Sequence, residues 1–133
     1  MIDLHTHLLP GVDDGSPSFE VSLPVLERFG DDGVTTLVCT PHLNASQIAQ
    51  APYAYHVELL AELQRRAPVG LELRLGWEIM LDSPGVDLSA PELALGNSRA
   101  LLVEFTRGFL PPGASTELRR ITRLARTPIL AHP

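Results

Sequence analysis

A chain of 133 residues that is 44% hydrophobic and 20% charged has the size and composition of one globular domain with a buried core. These values exclude a disordered tail, a collagen-like fibre and a coiled coil. No apolar run reaches the ~20 residues of a membrane-spanning helix, and the start lacks the pattern of a signal peptide. The net charge of −6 argues against nucleic acid or an anionic membrane as a partner. We therefore expect a cytoplasmic protein that does not insert into membranes.

The basic and sulfur-containing residues exclude several kinds of chemistry. All ten basic residues are arginine, so neither Schiff-base catalysis by lysine nor a lysine-bearing phosphate loop is available within this segment. The single cysteine, Cys39, can form neither an internal disulfide nor a multi-cysteine zinc site. It lies in the apolar run VTTLVC, and we expect a buried, unreactive thiol rather than a nucleophile.

Strand and helix patterns alternate along the chain. The first helical pattern begins near Ser16 and Pro17 and stops at Gly33, and Pro24 predicts either a kink or a later start. Asp82–Asn97 is rich in turn-forming residues and predicts a loop with a short turn of helix. Two further helices are predicted at about Tyr53 to Ala67 and Ala114 to Arg126. Five apolar runs have the composition of buried strands: Met1–Leu4, Val34–Thr40, Leu71–Leu75, Ala100–Phe105 and Pro128–Ala131. This alternation predicts an α/β fold with parallel strands.

Ligand-type residues stand at or next to the end of every predicted strand: His5, His7, His42, Glu78, Glu104 and His132. In barrels of parallel strands the functional residues lie at the carboxyl ends of the strands, where the loops converge. Imidazole and carboxylate without thiolate suit zinc, manganese or iron. His5 and His7 share one face of a strand because side chains alternate, so one metal ion can bind both.

Several other residues are candidates for a role in this site. Asp3 shares the face of His5 and His7 and can support a ligand histidine, and Asp13 and Asp14 follow in the loop PGVDDG. Taken alone, a His-x-His pair is often incidental and either glutamate could be an ordinary strand terminus, so the inference depends on the whole set. Two other side chains are predicted to be structural: His56 on a helix face and Trp77 in the core. Arg99 and Arg107 could each bind a phosphate through two guanidinium nitrogens, or they could be solvated surface residues.

The motifs MIDLHTHLLPGVDDG, TPH, GWE, NSRALLVEF and AHP resemble the PHP (polymerase and histidinol phosphatase) superfamily over residues 1–133. More narrowly, they resemble the bacterial metal-dependent tyrosine-protein phosphatases encoded with capsule and exopolysaccharide genes. The continuation LPGVDDG combined with NSRALLVEF is the most specific of these signals. The resemblance implies a distorted (β/α) barrel, of which residues 1–133 form the N-terminal portion, with the C-terminal part absent.

The resemblance also implies the metal ligands, with up to three divalent ions in the full-length protein. Manganese is the expected metal, with iron or zinc as alternatives. Glu78 and His42 would be the catalytic metal ligands. Arg107 is a candidate substrate-binding residue on the chemistry of its guanidinium group and not from the resemblance. The ligand sets it implies are His5, His7 and Glu78 for the first ion, Glu78, Glu104 and His132 for the second, and Asp14 and His42 for the third. The family usually adds a Glu-Arg pair after the AHP motif and a later Asp-x-His pair, so we expect this truncated chain by itself to be inactive.

The resemblance implies phosphomonoester hydrolysis by a metal-bound hydroxide. The expected substrate is phosphotyrosine on a tyrosine kinase of polysaccharide export, and the protein could form a homo-oligomer. One alternative keeps the metals and acts on histidinol phosphate or another small phosphomonoester. Another is a truncated, non-catalytic metal-binding protein, which a natural C-terminus at Pro133 would favour.

Overall fold

The computed structural model describes residues 1–132 and divides them into two compact units, each with its own parallel sheet. Pro133, to which the expectation about the C-terminus refers, lies outside the described residues. The α/β class with parallel strands alternating with helices is confirmed. Among residues 1–132, no helix is both long and apolar enough to cross a bilayer.

The first unit comprises residues 1–41 and 52–75. Its sheet has the order β1-β2-β4, formed by β1 (Ile2–Thr6), β2 (Thr36–Cys39) and β4 (Glu72–Leu75). Two helices belong to this unit, α1 (Phe19–Asp31) and α2 (Tyr53–Arg66). Their apolar faces bury Leu26 and Leu63 completely against the core residues of β2 and β4.

The second unit comprises residues 42–51 and 76–132 of the described chain. Its sheet has the order β3-β5-β6-β7, formed by β3 (His42–Asn44), β5 (Glu78–Met80), β6 (Ala100–Glu104) and β7 (Thr127–Leu130). The helix α3 (Ala114–Arg123) completes the unit, together with short 3-10 helices at Ala45–Gln50 and Pro91–Leu93. Trp77 is buried in this core and its Nε1 donates to the backbone oxygen of Glu92 at 3.1 Å, as predicted for a core residue.

The sequence prediction missed two short strands, because after two of the predicted strand ends the chain begins a second strand instead of a loop. After β2 ends at Cys39, β3 begins at His42 in the other sheet, and after β4 ends at Leu75, β5 begins at Glu78. Pro41 has no N–H to donate and Gly76 weakens a strand, so each pair of strands is separated at a residue that interrupts a ladder. His42 and Glu78 therefore lie at the starts of strands that pair with each other in register.

The helix boundaries differ from the sequence prediction by a few residues. Helix α1 begins at Phe19, after Ser18 in the N-cap position, so its start is not late enough to keep Pro24 out of the helix, and that alternative is wrong. Pro24 lies in the interior of the helix, where it removes one backbone hydrogen bond. Helix α3 ends at Arg123, three residues earlier than predicted, and Ala125 has a positive φ of 59° that stops the helix.

Cys39 is fully buried at the end of β2, and burial raises the pKa of its thiol to about 12. The thiolate is the reactive form, so a thiol-disulfide reagent at pH 8 is expected to label the folded protein only as fast as the protein unfolds. Because the chain has one cysteine, the absorbance of the released reagent reports that site alone. Rapid stoichiometric labelling of the native protein would contradict this expectation, and the guanidinium-unfolded protein gives the reference amplitude.

Candidate metal centre

In the first unit, two imidazoles converge at the end of β1. The Nε2 atoms of His5 and His7 lie 3.2 Å apart. Two nitrogens bound to one ion at about 2.1 Å are separated by roughly 3.0–3.4 Å for coordination angles between a right angle and the tetrahedral value. The separation observed here therefore fits a single metal ion held between the two rings.

An aspartate in the following loop fixes the orientation of His7. Asp13 Oδ2 lies 2.8 Å from His7 Nδ1, and the Asp13 side chain is only 7% exposed. With the carboxylate accepting a hydrogen bond from Nδ1–H, the lone pair of His7 is on Nε2, the atom that faces His5. Asp13 Oδ1 in turn accepts a hydrogen bond from the backbone N–H of Gly15 at 3.0 Å.

Gly15 is required by the close return of this loop to the end of β1. A Cβ atom at this position would lie 2.3 Å from both the Cβ and the backbone oxygen of His7. The neighbouring Ser16 N–H donates to the same His7 oxygen at 2.8 Å, which holds the loop in place. His7, Asp13 and Asp14 each offer a ligand atom within 4.8 Å of the others.

The loop and strand residues of this unit differ in how well the sequence indicated them. Asp14 is a predicted ligand and lies beside His7, whereas Asp13 is outside the predicted ligand set although it belongs to the same motif. Its signal is its position before Asp14 and two residues before Gly15 in PGVDDG. Asp3, predicted to support a histidine, accepts a hydrogen bond from the backbone N–H of His5 at 3.0 Å and so holds the main chain of β1.

The second unit brings two carboxylates and two imidazoles together. Strand pairing places His42 opposite Glu78, and Glu104 lies opposite Met80, two residues further along. Because side chains alternate with period two, Glu78 and Glu104 are on the same face of the sheet. His42 Nδ1 lies 3.2 Å from Glu78 Oε2 and 3.5 Å from Glu104 Oε1.

His132 completes this cluster from the end of β7. Its Nε2 lies 3.0 Å from Glu78 Oε1, so the two oxygens of Glu78 contact different imidazoles. The backbone of His132 has a positive φ of 52°, a conformation that is uncommon for a residue other than glycine and is often found at functional sites.

The electrostatics of this cluster favour a cation. Glu78 is completely buried and Glu104 is 6% exposed. Burial, followed by the negative charge of Glu78, raises the pKa of the Glu104 carboxyl, and His42 and His132 partly offset that effect. Two buried carboxylates side by side are costly without a positive partner. Carboxylate and imidazole together match the ligand preferences of divalent manganese, iron and zinc, so the donor set fits the implied metal.

The remaining candidates lie outside the ligand clusters. Arg99 precedes β6 at the end of the strand opposite to Glu104, whereas Arg107 is exposed on the loop that follows Glu104. His56 is buried on α2, where burial lowers the pKa of its imidazole. Among the described residues, the clusters that could hold a metal ion do not include His56.

Comparison with known proteins connects this geometry with one family. The model of the family described as capsular polysaccharide synthesis, CpsB/CapC, matches residues 1–133. The tyrosine-protein phosphatase CpsB of Streptococcus pneumoniae is 30% identical over 136 residues, covering 99% of this chain and 56% of that protein. The tyrosine-protein phosphatase YwqE of Bacillus subtilis is 28% identical over 142 residues, covering 100% of this chain and 54% of that protein.

A solved structure gives the same result. One chain from the crystal structures of YwqE and CpsB, described there as metal-dependent tyrosine phosphatases, matches with a TM-score of 0.86 and 28% sequence identity. The match covers 100% of this chain and 56% of the solved chain, so the chain spans about half the length of the relatives it matches. By the family match over its whole length, the chain belongs to the CpsB/CapC family of capsular polysaccharide synthesis.

Proposed function

We propose that the protein containing this chain is a metal-dependent protein-tyrosine phosphatase, which hydrolyses a phosphoric monoester. The observation that carries the proposal is the buried pair of Glu78 and Glu104 in contact with His42 and, through Glu78, with His132. The names of YwqE and CpsB, both tyrosine-protein phosphatases, support phosphotyrosine as the substrate. Residues 1–133 would be the N-terminal portion of one barrel domain, which stays a prediction.

In this proposal the ligand clusters of both units hold divalent ions, with manganese preferred and iron or zinc as alternatives. Such ions, when bound, make water a nucleophile at neutral pH and neutralise the charge on phosphoryl oxygens. The proposed ligands are His5, His7 and Asp14 in the first unit and His42, Glu78, Glu104 and His132 in the second. In the second unit, the burial of Glu78 and Glu104 and their contacts with the two histidines orient these side chains before an ion binds, so little rearrangement is needed there.

The residues around the ligands have supporting tasks. Asp13 holds the proton on His7 Nδ1, and Asp3 holds the main chain of His5. A phenolate is a fairly good leaving group, which reduces the need for a strong general acid. Arg107, exposed beyond the end of β6, is proposed to bind the phosphate.

The physiological partner is proposed from the family to which the chain belongs. Because the family is one of capsular polysaccharide synthesis, we propose that the substrate is a tyrosine kinase of polysaccharide export and that the reaction takes place in the cytoplasm. Formation of a homo-oligomer is part of the same proposal. Neither nucleic acid nor a membrane surface is proposed as a partner, because the net charge is −6.

Removal of metal tests the proposed function directly. The protein as encoded, including any residues that follow 133, is treated with a chelator, dialysed and assayed with a phosphotyrosyl peptide. We expect hydrolysis to stop and to return when Mn²⁺ is added, because the proposed ligands without an ion supply no nucleophile. Elemental analysis of the untreated protein should find Mn, Fe or Zn.

The same assay separates the alternatives. Hydrolysis that survives chelation would contradict the metal-dependent mechanism. Histidinol phosphate hydrolysed faster than the phosphotyrosyl peptide would favour a small-molecule phosphatase. A folded protein that binds metal but hydrolyses neither compound would favour a non-catalytic metal-binding protein.

A further inference from the structure

A cavity of about 410 Å³ lies in the second unit, between the loop that follows β6 and the end of β7. Four apolar side chains contribute to its lining: Phe105, Phe109, Leu110 and Leu130. Its volume is within the ~300–1,000 Å³ range of small-molecule sites, whereas a benzene molecule fills a cavity of about 150 Å³. There is therefore room for an aromatic ring and for part of what is attached to it.

The apolar lining is unusually exposed. Phe109 is 61% exposed and Leu110 is 69% exposed, although both are large hydrophobic side chains on the same loop. Adjacent exposed apolar residues that surround a concavity are typical of a binding site. This loop therefore offers an apolar surface to a ligand.

Two polar side chains define which ligand fits. His132, whose Nε2 contacts Glu78, lines the cavity, and Phe105 directly follows Glu104 in the chain. The cavity consequently adjoins the cluster that we propose to hold metal. Arg107 also lines it and carries a guanidinium group that matches two phosphate oxygens.

We propose that this cavity binds the aromatic ring of a phosphorylated aryl group, with the phosphate directed to Arg107 and His132. The inference rests on the proposed function and adds to it the residues that select an aryl ester over an alkyl ester. A phosphoseryl side chain carries the same phosphate group but has no aromatic ring to contact Phe109, Leu110 and Leu130. Phe109 is the specificity residue, because aromatic rings pack edge-to-face or offset against one another.

Binding of non-hydrolysable phosphonates tests the cavity without requiring turnover. Phenylphosphonate and methylphosphonate carry the same anionic group and differ in the ring. On the Mn²⁺-loaded protein as encoded, titration calorimetry is expected to show phenylphosphonate binding about tenfold more tightly. Phe109→Ala should remove most of that difference and leave the methylphosphonate Kd unchanged.

Two variants control this experiment. Tyr55→Ala removes an aromatic ring of similar exposure, 57%, from helix α2 and should keep the preference for phenylphosphonate. Arg107→Gln should weaken both phosphonates by a similar factor, since its charge acts on the group they share. Equal binding of the two phosphonates by the unsubstituted protein would overturn the inference, and so would an unchanged preference in Phe109→Ala.

Kinetics distinguish failure of this inference from failure of the proposed function. Phe109→Ala should raise KM for a phosphotyrosyl peptide with little change in kcat. If the unsubstituted protein hydrolyses the peptide but Phe109→Ala has the same KM and a lower unfolding temperature, the cavity is covered by protein and the inference is wrong. If the unsubstituted protein prefers phenylphosphonate yet hydrolyses no monoester, the proposed function is wrong, whereas the inference that the cavity binds an aryl ring is supported.

Discussion

Glu78→Ala is expected to reduce kcat for a phosphotyrosyl peptide by at least ~10²–10³-fold, the usual cost of losing one preorganised electrostatic element at an active site. Glu78 is completely buried, and its two oxygens face His42 and His132. Its loss therefore removes the central donor of the second unit's cluster. Steady-state kinetics in Mn²⁺ and elemental analysis of the same preparation measure the effect.

Stability measurements show whether Glu78 acts through metal or through folding. Glu78→Gln keeps the volume and removes the buried charge, so the unfolding temperature of the metal-free variant should not fall. The rise in unfolding temperature on adding Mn²⁺, which measures binding to the folded state, should become smaller. A lower unfolding temperature without metal and an unchanged rise with Mn²⁺ would assign Glu78 a structural role.

Two matched variants complete this test. Glu58→Ala removes an exposed glutamate from α2 and should leave turnover unchanged. Cys39→Ser should retain activity, because the thiol is buried and its pKa is raised to about 12. If Cys39→Ser abolished turnover while Glu78→Ala did not, the protein would be a thiol phosphatase.

Gly15→Ala is expected to weaken metal binding in the first unit by about 10- to 100-fold, the usual effect of disturbing groups that orient metal ligands. The added Cβ would come within 2.3 Å of His7, so the loop must move and the hydrogen bond between Asp13 and His7 is lost. Titration of the metal-free protein with Mn²⁺ should show one class of sites weakened.

The control for this variant is another glycine-to-alanine change in the same unit. Gly30 lies in helix α1, and a Cβ there would meet Pro68 at 3.9 Å, an ordinary van der Waals contact. Gly30→Ala should leave Mn²⁺ binding unchanged and raise stability by up to about 1 kcal/mol, because alanine is the better helix former. Equal Mn²⁺ titrations for the Gly15 and Gly30 variants would show that the loop does not orient His7.

The sequence predicted the features that depend on local pattern. Apolar runs located β2 and β6, and the alternation of side chains along a strand predicted that His5 and His7 share a face. The three-residue strands β3 and β5 were missed because three residues are too few to display a period.

Other features depend on contacts between distant residues. The role of Asp13 arises because the loop returns to His7, and only the close approach at Gly15 reveals that return. The exposed cavity lining likewise follows from the folded path of the loop after Glu104, which leaves Phe109 and Leu110 on the surface. Contacts between residues that are far apart in the chain cannot be predicted from a short stretch of sequence.

The division of the chain between two sheets has a consequence for dissection of the protein. Strand β3 belongs to the second unit but precedes α2 and β4 of the first, so neither unit is one continuous segment. A fragment starting at Gly76 would lack β3 and with it His42, and a fragment ending at Leu75 would contain β3 without β5, its partner strand. A cut after Leu75 keeps β1, β2 and β4 together but separates β3 from β5, and a cut before His42 keeps the second sheet but removes β1 and β2 from the first. Every single cut therefore leaves one sheet incomplete, whereas point substitutions can remove the ligands of one cluster and leave both sheets whole.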